Sequence, residues 1–305
     1  MKVFDASATR AALPFATLIA ALKTLFIQGC TVPPRHVHQL GSAGTSLIMP
    51  AWQERYFGIK TVNIFPANSE RGLPGLFSTY MLYDAATGQP LAHIDGNEIT
   101  SRRTVAASAL AASYLARPDA QRLLVVGSGR VASLLAEAYS QVLPLREIAV
   151  WSRNRASAEA LAASLRAQGF EALAWEQLEA AVRQADVVSC ATLSTSPLIR
   201  GEWLQAGSHL DLIGGFTPQM LEADDACFAG AAIYVDTQEA LQKAGDLLGP
   251  MSRGVFAAAD IKATLDQLCR GERGGRASAG QRTVFKSVGS ALEDLAAAML
   301  VIDAA

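Results

Sequence analysis

The chain reads as an α/β protein with a doubly wound, parallel-sheet nucleotide domain, and three observations predict this. Residues 123–132, Leu-Leu-Val-Val-Gly-Ser-Gly-Arg-Val-Ala, carry a strand, a glycine turn and a helix start in the GxGxxA form. From Arg122 onward, strand-like and helix-like segments alternate, which implies a mostly parallel sheet. Ahead of that region, short apolar or alternating runs joined by turn residues suggest an antiparallel sheet.

The elements follow in order. Ala11–Ile27 has helical apolar spacing and stops near Gly29. Arg35–Gln39 and Ser46–Met49 read as strands, and Tyr56–Phe65 alternates through Phe57, Ile59, Val62 and Ile64. Thr79–Tyr83 pairs with Pro90–Asp95 across Asp84-Ala-Ala-Thr-Gly88, which is turn chemistry. Ile99–Leu115 is an Ala-rich helix broken at Arg117-Pro118-Asp119. In the nucleotide region, residues 132–139 suit a helix and Glu147–Trp151 a second strand, completing a βαβ unit. Helices at Ala156–Gln168 and Glu176–Gln184 precede strands at Phe170–Ala174 and Val187–Thr192. Ser208–Gly214 and Ala231–Val235 are further strands. Gly271–Gly275 reads as a flexible connection, and Thr283–Ile302 as a strand followed by an amphipathic helix.

Each position of the glycine turn has a physical task. Gly127 permits the tight turn. Gly129 has no Cβ, so a pyrophosphate can approach the backbone through Gly129, Arg130 and Val131. Ala132 lets the helix pack closely on the strand, and the helix start offers free N–H groups to phosphate. A Rossmann domain that selects NAD carries Asp or Glu at the tip of its second strand, to accept from the ribose 2′-hydroxyl. Here that tip reads Trp151-Ser152-Arg153-Asn154-Arg155, with no carboxylate. Guanidinium groups match phosphate geometry bidentately, so Ser152, Arg153, Asn154 and Arg155 predict NADP, with NADPH as the working form.

A length of 305 residues accommodates two domains, and 50% hydrophobic residues supply their cores. A net charge of −2 gives no case for nucleic acid or an anionic membrane as partner. No apolar stretch reaches spanning length, and the first residues lack the apolar core of a signal peptide. Cys30, Cys190, Cys227 and Cys269 are scattered and read as reduced thiols of a cytoplasmic protein. His36 and His38 share a strand face but have no evident third ligand, so no metal site is expected.

Several segments, spread over nearly the whole chain, carry a family resemblance. They are Ile48-Met-Pro-Ala51, Gly58-Ile-Lys-Thr-Val-Asn63 with Phe65-Pro66 after it, and Asp95-Gly-Asn-Glu-Ile-Thr-Ser-Arg-Arg-Thr104. The glycine turn and Phe285-Lys-Ser-Val-Gly-Ser-Ala-Leu-Glu-Asp294 complete the set. In these the sequence resembles the ornithine cyclodeaminase/mu-crystallin family. The resemblance implies a Rossmann domain inserted in an N-terminal α+β domain that binds substrate and dimerises, and to which the C-terminal helix returns. The expected boundaries are 1–117 with 283–305, and 118–282. It also implies a homodimer built through the N-terminal domain. Family activities include ornithine cyclodeamination, alanine dehydrogenation and reduction of cyclic ketimines, and mu-crystallin also binds thyroid hormone, so fold alone does not choose among them.

The resemblance assigns roles residue by residue. Lys60 matches the catalytic lysine; taken by itself, a lysine among apolar neighbours either snorkels to solvent or is held in a site. Burial and nearby cations would lower its pKa and suit it to proton exchange at a substrate nitrogen. Arg35 and Arg103 match the arginines that hold the substrate carboxylate, while Arg102, one residue off the match, is expected to be exposed. Thr104 is placed near the cofactor phosphates, Thr192 near the nicotinamide ribose, and Val288 and Gly289 on the other side of the nicotinamide. Phe216 stands where the cyclodeaminases resemble one another in an aspartate. Phenylalanine cannot accept a proton or ion-pair with a second amine, and it suits the wall of a pocket for a ring substrate. The sequence therefore points to NADPH-dependent reduction of cyclic α-imino acids, Δ1-pyrroline-2-carboxylate and Δ1-piperideine-2-carboxylate. The alternatives are an amino-acid dehydrogenase of the alanine type, an ornithine cyclodeaminase, and a ligand-binding protein without turnover.

Overall fold

A computed structural model describes residues 1–304. It divides into two compact units, Met1–Thr104 with Ser290–Ala305, and Val105–Gly289.

The first unit opens with a short strand β1 (Lys2–Phe4) and helices α1 (Ala6–Ala12) and α2 (Phe15–Gln28). The single helix expected over 11–27 is therefore two, bent by 74°. Pro14 is the cause: it has no N–H to donate, and it pushes Leu13 out of the helical region. No single helix among the described residues is long and apolar enough to cross a membrane. Strands β2 (His36–Leu40), β3 (Gly44–Trp52), β4 (Tyr56–Ile64), β5 (Leu76–Asp84) and β6 (Pro90–Asp95) form an antiparallel meander, and β1 adds to β6 in parallel. Along β4 the alternate residues Tyr56, Gly58, Lys60 and Val62 are buried. Register aligns Met49, Lys60, Tyr80 and Ile94 in one row across the sheet. Helix α3 (Gly96–Leu115) follows, and the division between the units falls inside it.

The second unit is an eight-stranded, all-parallel sheet. Its strands are β7 (Arg122–Val126), β8 (Glu147–Trp151), β9 (Glu171–Ala174), β10 (Val187–Cys190), β11 (His209–Leu212), β12 (Ala232–Val235), β13 (Ala263–Thr264) and β14 (Thr283–Lys286). Their order is β13-β12-β14-β11-β10-β7-β8-β9. The order reverses between β7 and β10, the place where open α/β sheets bind ligands at their strand C-termini. The helices are α4 (Leu135–Tyr139), α5 (Arg155–Ala167), α6 (Leu178–Val182), α7 (Asp225–Phe228), α8 (Ala240–Lys243), α9 (Gly245–Ser252) and α10 (Leu265–Arg270). The helix expected at 132–139 begins as a 3-10 turn, Ala132–Leu134, before the short α4.

The last helix, α11 (Ala291–Asp303), belongs to the first unit and packs on α2, β3 and β4. The doubly wound unit is thus inserted in the N-terminal one. Its boundaries differ from 117/118 and 282/283 for clear reasons. The second half of α3 is tied to the parallel sheet, with Ser108 donating to Asp211, and β14 lies between β11 and β12. The connection at Gly271–Gly275 is anchored rather than flexible. Tyr234 donates to the Gly275 carbonyl, and a Cβ on Gly275 would meet the Tyr114 carbonyl oxygen at 2.3 Å.

At the centre of the parallel sheet, the buried Asp211 accepts from Ser108 Oγ at 3.1 Å, Tyr139 OH at 2.8 Å and Ser189 Oγ at 2.6 Å. Burial pushes its carboxyl from 3.8 up to about 6, against the pull of the three donors. The folded state therefore binds this proton more tightly than the unfolded chain does. The unfolding free energy of wild type, less that of Asp211→Asn, should fall as pH rises from 3.8 to about 6 and then level off. Urea titrations across that window measure it.

Candidate active site

In the first unit, the strand alternation that buries Tyr56 and Val62 also buries Lys60, on the sheet face covered by α11. Its side chain is 1% exposed, so it does not snorkel. Instead Lys60 Nζ lies 2.6 Å from Asp294 Oδ2. The other oxygen of Asp294 accepts from Arg103 Nε at 2.9 Å, and Arg103 Nη1 donates to Glu293 Oε2 at 2.8 Å. Asp294 and Glu293 lie in the first turn of α11, where the helix dipole favours anions. Arg103 lies on α3 and gives one nitrogen to each of these two acids.

The electrostatics agree with the geometry. Burial lowers the Lys60 amine to about 8; Asp294 opposes this, while the charges of Arg103 and Arg35 add to it. Arg35 is half-buried just before β2 and is thus within electrostatic reach of Lys60. Burial works against the Asp294 carboxylate, but Lys60 and Arg103 hold it below its ordinary value. The Tyr80 hydroxyl, opposite Lys60 on β5, is pushed well up by burial and by Asp294, and it has no hydrogen-bond partner among the described residues. It crosses Gly58, where a Cβ would meet the hydroxyl oxygen at 1.9 Å. Lys60 and Arg103 are thus matched by Asp294 and Glu293, with the Arg35 charge acting on Lys60 from further off.

Arg102 corrects an expectation. It is 4% exposed, donates from Nε to the Leu13 carbonyl at 2.7 Å and stacks on Phe15. Its role is to pin α3 to the start of α2.

In the second unit, Gly127 has φ +121°, and a Cβ there would meet the Ala191 carbonyl oxygen at 2.7 Å. Only glycine fits. A Cβ on Gly129 would meet nothing within 4 Å, so the backbone of the turn is open on that side. Arg130 is exposed, Val131 half-buried and Ala132 buried. At the tip of β8, Ser152 accepts from Ser128 across the turn at 3.0 Å. Asn154 caps α5 by accepting from Ser157 N–H, and Arg155 faces Glu159 and Glu176. Arg153 is exposed and Ser152 half-buried beside the start of the 13-residue α5.

Other expected cofactor contacts have their donors already occupied. Thr192 gives both its N–H and its hydroxyl to Glu222 Oε1 at 2.7 Å, and Gly214 N–H goes to Glu222 Oε2 at 2.9 Å. Val288 and Gly289 give their N–H groups to Asp236 Oδ2 at 2.8 and 2.7 Å. These residues shape the strand C-termini, while the buried carboxylates fix them. The Thr104 hydroxyl donates to the Thr100 carbonyl within α3. Phe216 is half-buried on the loop after β11, in the second unit, and presents no carboxylate there.

The structure thus gathers Lys60, Arg103 and, at longer range, Arg35. It places the glycine turn and Ser152–Arg155 in a different unit. Sequence reasoning missed the partners that organise both: Asp294 and Glu293 in the first unit, Glu222, Asp236, Asp246 and Lys286 in the second. The one available signal was an acid or lysine set at the end of an apolar strand or in an apolar helix.

Comparison with known proteins agrees with this arrangement. The family model described as ornithine cyclodeaminase/mu-crystallin family matches residues 15–305. The chain is 40% identical to Δ1-pyrroline-2-carboxylate reductase of Paracoccus denitrificans, over 88% of this chain and 87% of that protein. It superposes on Thermococcus litoralis Δ1-pyrroline-2-carboxylate reductase, solved with NADH and L-proline, at TM-score 0.95 and 29% identity, covering 99% and 97% of the two chains. An archaeal alanine dehydrogenase dimer with bound NAD gives TM-score 0.94 and 29% identity, covering 99% and 95%. The buried lysine and arginine, the glycine turn and these likenesses agree: the chain belongs to the ornithine cyclodeaminase/mu-crystallin family.

Proposed function

We propose that this protein is an oxidoreductase that reduces cyclic α-imino acids with NADPH. Its substrates are Δ1-pyrroline-2-carboxylate and Δ1-piperideine-2-carboxylate, and its products L-proline and L-pipecolate. The observation that carries the proposal is the buried Lys60–Asp294–Arg103 array, which sets an ammonium and a guanidinium side by side in a desolvated setting. Arg103, with Arg35, takes the substrate carboxylate in a low-dielectric setting where a guanidinium binds it strongly. Positioning by this clamp supplies much of the acceleration. The Lys60 ammonium holds a proton for the ring nitrogen, which keeps C2 electrophilic. A bound nicotinamide supplies the hydride that C2 accepts. Phe216 in place of an acid supports reduction over ornithine cyclisation, and the reductase named in Paracoccus denitrificans supports the same substrate class.

The preference for NADPH rests on Ser152 and Arg153 and on the lack of a carboxylate at the tip of β8. The Thermococcus relative was solved with NADH. A homodimer through the first unit is supported by the sheet face opposite Lys60. There Trp52, Phe57 and Tyr83 form an aromatic row at 6.2 and 5.4 Å, and Trp52 and Phe77 are exposed. Such a patch marks a partner surface. A cytoplasmic setting is in keeping with four cysteines that form no disulfide.

Purified protein should oxidise NADPH with either cyclic imine, and faster than with pyruvate plus ammonia. Lys60→Ala should lower kcat by about 100-fold or more. Faster turnover with pyruvate and ammonia would favour the amino-acid dehydrogenase instead, and no oxidation with any of them would refute the reductase. Arg153→Glu should weaken NADPH binding by about tenfold or more, the scale of one charge-assisted hydrogen bond, and leave NADH unchanged. Fluorescence titration measures both. Sedimentation should report a dimer, and the double variant Trp52→Asp with Phe77→Asp a monomer; a monomeric wild type would refute the dimer.

A further inference from the structure

The tail that returns to the first unit brings two buried acids, and one of them touches both working cations. Asp294 Oδ2 meets Lys60 Nζ at 2.6 Å, and Asp294 Oδ1 accepts from Arg103 Nε at 2.9 Å. Glu293 holds Arg103 at Nη1. An array of this kind is an expensive way to build a core, because desolvating ions costs more than packing apolar groups of the same size. Here two acids meet two cations, and Asp294 alone touches both Lys60 and Arg103. The charged and titratable groups facing Asp294 are Lys60 from β4, Arg103 from α3, Tyr80 from β5, and Glu293 beside it on α11. Arg35 from the segment before β2 acts on Lys60, and Cys30 from the segment after α2 acts on Tyr80.

We propose that Asp294 is a positioning residue for the reduction: it keeps the Lys60 amine protonated beside two other cations and fixes the angle of the Arg103 fork, so that proton and carboxylate clamp are set before substrate arrives. Without this carboxylate, Lys60 is a buried amine facing Arg103 and Arg35, and both burial and those charges favour its neutral form. A neutral Lys60 has no proton for the ring nitrogen. The proposal rests on the reductase reading and adds the residue that arms it.

The test labels lysine side chains with carbon-13 at Cε and follows Lys60, assigned by its loss in Lys60→Met, through a pH titration of wild type, Asp294→Asn and Glu293→Gln. The same proteins are assayed with NADPH and pyrroline-2-carboxylate over that pH range. Wild-type Lys60 should be charged at pH 7, and the alkaline fall in kcat should track its titration near pH 8. In Asp294→Asn both should move down by about one pH unit or more, a tenfold change in the charged fraction at alkaline pH. Glu293→Gln should raise KM through Arg103 and leave both titrations in place. A merely structural Asp294 would lower kcat by the same factor at every pH. An active wild type whose limb stays fixed in Asp294→Asn overturns the proposal alone. A wild type that reduces neither imine overturns the reductase reading, and the proposal falls with it. If Asp294→Asn does not fold, wild type still decides: a Lys60 that is neutral at pH 7 overturns the proposal.

Discussion

The buried pairing of Lys60 and Arg103 through Asp294 is the constraint on which the first unit depends. It joins three elements that are distant in sequence: β4, α3 and α11. It also explains why the chain comes back. A helix that only covered the apolar side of β3 and β4 could have been supplied locally. Helix α11 brings in addition two carboxylates at its amino end, where its dipole favours them, and sets them against two desolvated cations. Removing one member leaves a buried charge short of a partner, which costs several kcal/mol, about 3–5 in comparable cases. The fold thus makes the site and its own cohesion the same set of contacts.

The second unit solves a related problem with buried acids at strand ends. Glu222 holds Thr192 and Gly214, its own N–H is held by Asp246 Oδ1 at 2.6 Å, and Asp246 Oδ2 faces the fully buried Lys286 at 2.8 Å. Asp236 gathers Ser287, Val288 and Gly289. These carboxylates tie the C-terminal ends of β10, β11, β12 and β14 into one rim. Loops that line a ligand crevice are ordinarily mobile; backbone N–H groups held by buried carboxylates make this rim stiff. The open side of Gly129 remains for the dinucleotide.

Much of this was legible in the sequence, and the gaps have physical causes. The doubly wound unit followed from the alternation of strands and helices, and Gly127 from its need for a left-handed turn beside β10. The Pro14 break was also visible locally, yet the apolar spacing on both sides of it masked two helices as one. Arg102 and Arg103 show where local reading stops. They are adjacent on one helix, and both are buried, because Phe15 meets one face and α11 the next. Nothing near Arg103 reveals a partner 191 positions away. The same holds for Glu222, Asp236 and Asp246, which look like ordinary loop acids until the strand ends converge. The family resemblance named the cations. Only the tertiary fold could name the anions that hold them.

In this protein a carboxylate-anchored imine accepts hydride at C2 while the protein governs the proton on nitrogen. The most direct measurement uses NADPH deuterated at the transferable C4 position, with Δ1-pyrroline-2-carboxylate, in ordinary water. The product should be L-proline carrying one deuterium at C2, with an equivalent of NADP. Proline formed without that deuterium, or no proline at all, would contradict it.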